Sequence, residues 1–281
     1  MKDRTQLPHL IKLLDDDTPL VREAVIKALA GFGASLETEL ERLGIRASHI
    51  ETLPIRRILE NNRREEIKES WPRWFSIKGD KERLEEAMGM IVELQYGRTT
   101  ARELPSVLDG LANECRSSAQ RLDAMALAGF LFREKSLRGV DQGDYYNPLN
   151  SNITYVITEK RGIPISLACI YILVGHRLGL AIEGCNFPGH FLAIAPVQKT
   201  RVLVDCYNGG RTIDQQDLAT LDARISMKNI LQLECYSAAI VARVMRNLKA
   251  AYEHVRDAEN ARLIDSLLEM MNSEGSLSPL Q

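Results

Sequence analysis

The chain has 281 residues, of which 45% are hydrophobic and 26% are charged, and both values are ordinary for a globular protein. Thirty-six basic residues against thirty-eight acidic ones leave a formal net charge of -2. This balance provides no excess of positive charge for the phosphate backbone of nucleic acid or for anionic lipid. We therefore expect neither nucleic acid nor a membrane as a partner.

The N-terminal segment, MKDRTQLPHLIKLLDDD, is charged from its start. It lacks the basic head, apolar stretch and small-residue cleavage site of a signal peptide, so we expect a cytoplasmic protein. The most apolar run, residues 163–180, is interrupted by Ser166, His176 and Arg177. That run therefore predicts a buried core helix and not a membrane span.

The five cysteines are scattered and never form a CxxC pair: Cys115, Cys169, Cys185, Cys206 and Cys235. An odd, scattered set is typical of reduced thiols and argues against both a disulfide framework and a zinc site. Nucleotide-binding and serine-hydrolase motifs are also missing from the sequence. We expect no metal and no cofactor.

The first helical signal is a pair of apolar repeats on either side of a DDDTP break. One repeat contains Leu10 and Leu14, and the other contains Val25 and Leu29. The spacing predicts two short amphipathic helices, and residues 7–33 resemble a single HEAT repeat. A lone repeat cannot bury its own apolar face, so we expect it to pack on helices from residues 36–62 or on the main domain. It would serve either as a partner-docking surface or as a helical cap over the core.

Composition changes over residues 60–80, where a charge run is followed by Trp71, Trp74 and Phe75. This change is typical of a linker whose aromatic side chains dock on a neighbouring surface. With a boundary near Ser76, the sequence predicts three parts. They are a helical N-terminal region and linker (1–76), a core domain (77–236) and a C-terminal helical extension with a frayed tail (237–281).

Within the core domain, helices precede strands. Helical periodicity covers residues 81–96 and 101–117 and continues up to Phe132, and a further helix is expected through Thr158. A long apolar helix then begins near Pro164, since proline is well tolerated in a first helical turn. Three short apolar runs follow, AIEGCNF, HFLAIAP and RVLVDCY, which predict antiparallel strands.

Two polar residues stand at the ends of predicted strands, His190 in NFPGHFLAIA and Asp205 in VLVDCYNGG. Adjacent strands would bring them together. A carboxylate bonded to one imidazole nitrogen fixes the tautomer and leaves the other nitrogen available as a base. The pair therefore indicates either a functional centre or a histidine that is simply satisfied within the core.

An acyl-transfer centre also needs a nucleophile. A catalytic cysteine is favoured at a helix N-terminus, where the helix dipole lowers the thiol pKa, but Pro164 occupies that position. Ser166 lies in the same turn and would either present its hydroxyl or cap the backbone. Cys169 is expected to be buried, while Cys185 and Cys206 lie in or beside predicted strands. Spacing leaves Ser166, Cys185 and Cys206 open as nucleophiles.

Three motifs in this order, residues 144–180, EGCNFPGHFLAI and VDCYNGG, resemble the bacterial SirB-type transglutaminase-like family. A related domain occurs in some F-box proteins. The resemblance extends from about Leu84 to Leu248. It implies an α+β fold with a papain-like, transglutaminase-like core, in which a helical subdomain and a buried core helix pack on a small antiparallel sheet. The helical regions on both sides are similar to modules that flank this domain in the family.

In active transglutaminase-like proteins a cysteine opens the core helix, and a histidine and an aspartate follow on neighbouring strands. His190 and Asp205 match the last two, while the cysteine position falls on Pro164. The resemblance therefore implies a pseudoenzyme that keeps two members of the triad and lacks the thiol.

The sequence leaves three functions open. The first is non-catalytic binding of a peptide or protein, or a scaffold role, at a cleft that contains His190 and Asp205. Its expected lining is Tyr145, Asn150, Ser151, Asn186 and Asn208. The alternative is acyl transfer of the cysteine-protease or transglutaminase type, with Cys185, Cys206 or Ser166 as a displaced nucleophile. In the third, the histidine and aspartate form a buried structural clip while the helical repeat contacts partners.

Overall fold

A computed structural model describes residues 6–33, 35–45, 53–187, 189–214, 216–217 and 227–274. Twelve α-helices lie within these ranges: α1 (Leu7–Lys12), α2 (Pro19–Ala30), α3 (Ser35–Arg42), α4 (Leu53–Ser70), α5 (Asp80–Tyr96), α6 (Arg98–Ser118), α7 (Ala124–Gly129), α8 (Ile153–Glu159), α9 (Pro164–Arg177), α10 (Met227–Leu231), α11 (Ser237–His254) and α12 (Ala258–Ser273). Seven strands accompany them: β1 (Arg138–Gly139), β2 (Arg161–Gly162), β3 (Glu183–Cys185), β4 (Leu192–Val197), β5 (Thr200–Asp205), β6 (Arg211–Ile213) and β7 (Glu234–Cys235).

The predicted helical hairpin at the N-terminal end is present as α1 and α2. Thr18 N donates to Asp16 Oδ1 at 2.8 Å and Arg22 donates to Asp16 O at 2.6 Å, so the DDDTP break is a hydrogen-bonded turn. The hairpin buries its apolar face against α3 and α4, as the requirement for covering a lone repeat predicts. We call this set the N-terminal cluster, and its buried members are Leu7, Leu14, Val25, Leu29, Leu36, Leu40, Ile55, Ile58 and Leu59.

Helix α4 joins the N-terminal cluster to the main core. Its first half contributes to the N-terminal cluster, whereas Ile67 near its end packs in the main core. Trp71 and Trp74 follow in a 3₁₀ turn, stacked with ring centroids 5.5 Å apart, and both are fully buried in the main core. The hydrophobic clusters thus divide inside α4, upstream of Ser76, and the two tryptophans dock on the core.

Helix α9 is the centre of the main core. Every residue from Pro164 to Gly175 is buried, which matches the core helix predicted from the apolar run. Helices α5 and α6 pack on it from one side, and α11 also contributes Ile240, Val244 and Leu248 to the same core. In the part of the chain that is described, no helix is both long and apolar enough to cross a membrane.

The five-stranded sheet is antiparallel and has the order β6-β5-β4-β3-β7. The three predicted strands are its middle members. Strands β6 and β7 were not predicted, because two or three residues are too short to show an alternating pattern. Along β4, Ala193 and Ala195 face the main core, while Leu192 and Ile194 belong to a smaller cluster on the opposite face.

A buried ion pair fixes α3 and α4 against α5. Arg63 donates to both carboxylate oxygens of Glu37, at 2.7 and 3.1 Å, and its Nη1 donates to Gln95 O at 3.3 Å. The two side chains are only 8% and 11% exposed. Gly97 makes room for them, since a Cβ at this position would lie 1.8 Å from Glu37 Oε1. The N-terminal helices are therefore held to the core by charge as well as by apolar contact.

We expect Arg63→Met to lower the free energy of unfolding by about 3–5 kcal/mol, because the buried Glu37 carboxylate loses its partner. Adding Glu37→Met should recover most of this loss, since the uncompensated charge is then gone. Urea unfolding of the single and double variants measures both effects.

The matched control is Arg56→Met on the same helix. Arg56 pairs with Glu60 at 3.8 Å, and the two side chains are 65% and 43% exposed. Exposed pairs of this kind contribute about 0–1 kcal/mol. A loss at Arg63 no larger than that at Arg56 would contradict the anchoring role.

Candidate functional site

The side chains of His190 and Asp205 meet where β4 begins and β5 ends. Antiparallel pairing aligns Ala193 with Val204, so the start of one strand lies beside the end of the other. His190 Nε2 is 2.9 Å from Asp205 Oδ1. The carboxylate accepts, so Nε2 carries the proton and Nδ1 is the basic nitrogen of the neutral ring.

Asp205 is held by a full set of donors. Its Oδ1 also accepts from the backbone N–H groups of Tyr207 and Asn208, both at 3.1 Å, and its Oδ2 accepts from Asn208 Nδ2 at 2.7 Å. The side chain is only 3% exposed. Burial alone would raise the pKa of this carboxyl, but the hydrogen bonds from His190 and Asn208 outweigh it and the pKa is lowered. Asp205 is therefore ionised at neutral pH and orients the imidazole.

The imidazole reaches the surface. The His190 side chain is 28% exposed, and its Nδ1 forms no hydrogen bond with any described residue. The Tyr207 ring lies edge-on to it, with centroids 6.0 Å apart. Gly139 permits this position of the tyrosine, since a Cβ there would come within 2.5 Å of the Tyr207 ring. The basic nitrogen is thus available to a ligand, and the aromatic ring of Tyr207 lies beside the imidazole.

A short chain of hydrogen bonds links this pair to the start of α9. The Tyr207 hydroxyl donates to Val140 O, and Gly139 N donates to Tyr207 O at 3.1 Å. Val140 N in turn donates to Gly162 O at 3.1 Å, two residues before Pro164. Strands β1 and β2 therefore place the first turn of α9 next to the Tyr207 side of the site.

The first turn of α9 offers no free nucleophile. Pro164 is buried, and Ser166 is 1% exposed with its hydroxyl donating to Asn150 O at 2.6 Å. The hydroxyl is thus engaged with a carbonyl of the preceding loop, and α9 has no side-chain cap at its N-terminus.

The candidate cysteines are also enclosed. Cys206 faces the main core and Cys185 the smaller cluster across the sheet, and both are fully buried. Burial raises the pKa of the Cys185 thiol to about 12 and that of Cys206 well above its ordinary value. Cys185 Sγ contacts Ile230 O at 3.7 Å, and no hydrogen bond joins either thiol to His190 in the described chain.

The predicted lining residues fall into two groups. Asn150 and Ser151 are each only 2% exposed, and Asn150 Nδ2 donates to Asp144 O at 2.6 Å, so this asparagine holds its own loop. Tyr145, Asn186 and Asn208 reach the surface in part or in full. Asn208 donates to Asp205, as described above. Asn186 Oδ1 accepts a hydrogen bond at 2.5 Å from a residue for which the sequence predicts no role.

That residue is Arg243, from the middle of α11. Its Nη1 donates to Asn186 Oδ1 and, at 3.0 Å, to Phe187 O, in the loop that carries His190. In the sequence, Arg243 places a charge inside the apolar run IVARVM, and a charged residue is unusual on a buried helix face. This charge could have pointed to Arg243. Tyr207 was missed as well, since a tyrosine after a strand has no distinguishing pattern.

Comparison with known proteins gives matches for the main domain and for the N-terminal helices. A family model described as the transglutaminase-like superfamily matches residues 99–269, and a HEAT-repeat model matches residues 7–36. No solved structure matches the chain.

Among curated relatives, a UPF0162 protein of Xylella fastidiosa (strain 9a5c) is 32% identical over 162 residues, which cover 54% of this chain and 57% of the relative. F-box only protein 21 of Mus musculus is 34% identical over 123 residues, covering 43% of this chain and 18% of that protein. The match thus spans little more than half the length of the Xylella relative.

The superfamily match covers more than half of the chain and includes α9, His190 and Asp205. Together with the helix-on-sheet core, it establishes that the chain belongs to the transglutaminase-like superfamily, with a segment similar to a HEAT repeat ahead of that domain.

Proposed function

We propose that this protein is a pseudoenzyme of its superfamily that binds a peptide or protein segment at the surface around His190. The supporting observation is an oriented imidazole whose Nδ1 has no partner among the described residues, in a site linked by hydrogen bonds through β1 and β2 to a helix start without a thiol. A superfamily member without a nucleophile retains polar groups that recognise a ligand, because binding and chemistry draw on different parts of a site.

The enclosed side chains count against covalent chemistry. Acyl transfer needs a hydroxyl or thiolate within hydrogen-bond reach of the base. Pro164, at the position that the family resemblance assigns to the cysteine, has no such group. The hydroxyl of Ser166 is bound to Asn150 O, and the thiols of Cys185 and Cys206 are buried with raised pKa values.

The groups that remain suit a peptide. A neutral imidazole with its proton on Nε2 accepts a backbone N–H at Nδ1, and the rings of Tyr145 and Tyr207 supply partly exposed aromatic surface. Aromatic side chains with a few oriented polar groups are characteristic of recognition surfaces. The five buried free thiols support a reducing, cytoplasmic location for this activity.

A structural clip is the second candidate. It is favoured by the depth of Asp205, which is 3% exposed and satisfied by four hydrogen bonds. The exposed imidazole distinguishes the two proposals, since a clip has no use for an accessible Nδ1.

Thiol labelling tests the absence of a nucleophile. A Cys185 pKa of about 12 in place of 9.0 means about a thousandfold less thiolate at neutral pH. We expect iodoacetamide to label Cys185 and Cys206 in urea but hardly at all in the folded protein, as read by mass spectrometry. Fast labelling of one native thiol that disappears in His190→Ala would instead support the displaced-nucleophile enzyme.

Peptide capture tests the binding surface directly. The probe is a bead library of random pentapeptides, acetylated at the N-terminus and amidated at the C-terminus. We expect His190→Ala to lower the retained protein about tenfold, a change of about 1.4 kcal/mol. His176→Ala is the control, because His176 lies at the far end of α9 with a side chain 46% exposed. Equal retention of all three proteins would refute binding at His190.

The pH dependence of Asp205 gives a third test. Its pKa is lower in the folded chain than the ordinary 3.8, so the ionised carboxylate stabilises the fold above that value. This contribution disappears as the pH falls through the folded pKa. Asp205→Asn should therefore cost about 1–3 kcal/mol at pH 7, and progressively less below pH 3.8.

Urea unfolding of wild type and variant across this pH range measures the difference. Asp17→Asn serves as the control, because Asp17 is exposed and its loss should leave stability nearly unchanged. If the loss of unfolding free energy in Asp205→Asn stayed constant from pH 7 to pH 3, the charge of the carboxylate would not be the source of the stabilisation.

A further inference from the structure

Arg243 is a partly buried cation with no anionic partner among the described residues. Its Nη1 uses both hydrogens, one on Asn186 Oδ1 at 2.5 Å and one on Phe187 O at 3.0 Å. A guanidinium has five N–H donors, so three remain, on Nε and Nη2. Both acceptors are neutral, and the positive charge is left without compensation.

Two other enclosed arginines, in contrast, are paired with carboxylates. Arg63 is paired with Glu37, and Arg177 donates to Glu85 and to Asp109. Charged groups away from solvent are normally paired in this way because losing hydration is costly. At Arg243 burial lowers the pKa of the guanidinium, which is the direction expected when hydration is lost and no carboxylate replaces it.

The guanidinium contacts the loop that carries His190. Phe187 O accepts from Arg243 Nη1 and also from His190 N, at 3.3 Å, so the two residues share one carbonyl. The charge stands over the Phe191 ring, with Arg243 Cζ 5.3 Å from the centroid. This cation–π contact and the two Nη1 hydrogen bonds hold the guanidinium in place.

The pKa of Tyr145 is affected by both Arg243 and Tyr207. Burial and the neighbouring Tyr207 phenol raise the pKa of Tyr145, while the Arg243 charge acts in the opposite direction. Tyr145 and Tyr207 both pack, partly buried, against the main core. Tyr207 contacts His190 edge-on, with ring centroids 6.0 Å apart, and Arg243 meets the His190 loop at Phe187 O.

We infer that Arg243 is the specificity-determining residue of this surface and binds a carboxylate of the bound peptide. This inference rests on the proposed peptide-binding function. The planar fork of Nε and Nη2 matches a carboxylate, and one guanidinium balances the single negative charge that a carboxylate carries. A phosphate carries about -1.5 to -2 and is usually bound by a cluster of arginines, so it fits less well.

The experiment compares three bead libraries of N-acetylated pentapeptides built from uncharged residues. In the first the C-terminus is an amide, in the second the central residue is Asp or Glu and the C-terminus is an amide, and in the third the C-terminus is a free acid. We expect wild-type protein to bind one of the two carboxylate libraries about tenfold more strongly than the neutral library. The preferred library identifies the carboxylate as a side chain or a chain terminus.

Two variants assign this preference to Arg243. Arg243→Gln should abolish the preference, measured as the ratio of retention on the carboxylate library to retention on the neutral library. Arg243→Lys, which keeps the charge without the fork, should retain only part of it. Arg246→Gln is the matched control, since Arg246 is exposed one turn along the same helix and should leave the preference intact. The wild-type comparison between libraries needs no variant, so it stands even if a substitution at Arg243 weakens folding.

The outcomes separate the inference from the function on which it rests. Wild-type retention that equals His190→Ala on all three libraries overturns the peptide-binding function itself. Retention that depends on His190 but is equal across the libraries overturns the role of Arg243 alone. A carboxylate preference that persists in Arg243→Gln, or vanishes in Arg246→Gln, also overturns it.

Discussion

The desolvated carboxylate of Asp205 is the constraint on which the site depends. A charge that is 3% exposed persists only if donors replace its lost water, and four donors from three residues do so: His190, Tyr207 and Asn208. Meeting this requirement fixes the tautomer of the imidazole and the turn after β5, while the Tyr207 hydroxyl positions its ring by donating to Val140 O. The local geometry therefore follows from the need to satisfy one buried charge. It does not depend on the function of the exposed edge of the imidazole.

Helix α9 imposes the second constraint, because it is apolar on every side. Its early polar group, the Ser166 hydroxyl, must find an acceptor inside the protein, and it finds Asn150 O. That bond holds the loop of residues 144–152 over the start of the helix, and Asn150 Nδ2 ties the same loop to Asp144 O. Groups that look like ligand contacts in the sequence are thereby used to close the core.

The limits of sequence reasoning follow from these two constraints. Helix α9, the three middle strands and the meeting of His190 with Asp205 were accessible, because apolar periodicity and strand order encode them. The sequence predicts Asn150 in the lining of a cleft. The sequence of a polar loop does not show which groups of an asparagine will form hydrogen bonds inside the protein. Arg243 was missed because α11 reaches the site only through tertiary packing, and its contacts with Asn186 and Phe187 join distant parts of the chain. Strands β6 and β7 exist only as partners of longer neighbours.

The distribution of unused hydrogen-bonding groups then argues for the kind of ligand. Inside the site the oxygens of Asp205 and Asn186 are already occupied by protein donors. Nδ1 of His190 is left as an acceptor, and Nε and Nη2 of Arg243 as donors, with no partner among the described residues; the rings of two tyrosines are also partly exposed. A backbone N–H can satisfy the acceptor and a carboxylate can satisfy the fork of donors, and a peptide supplies both groups. The same reasoning disfavours a purely cationic ligand, since Arg243 brings a positive charge with no carboxylate partner among the described residues to the loop that carries His190.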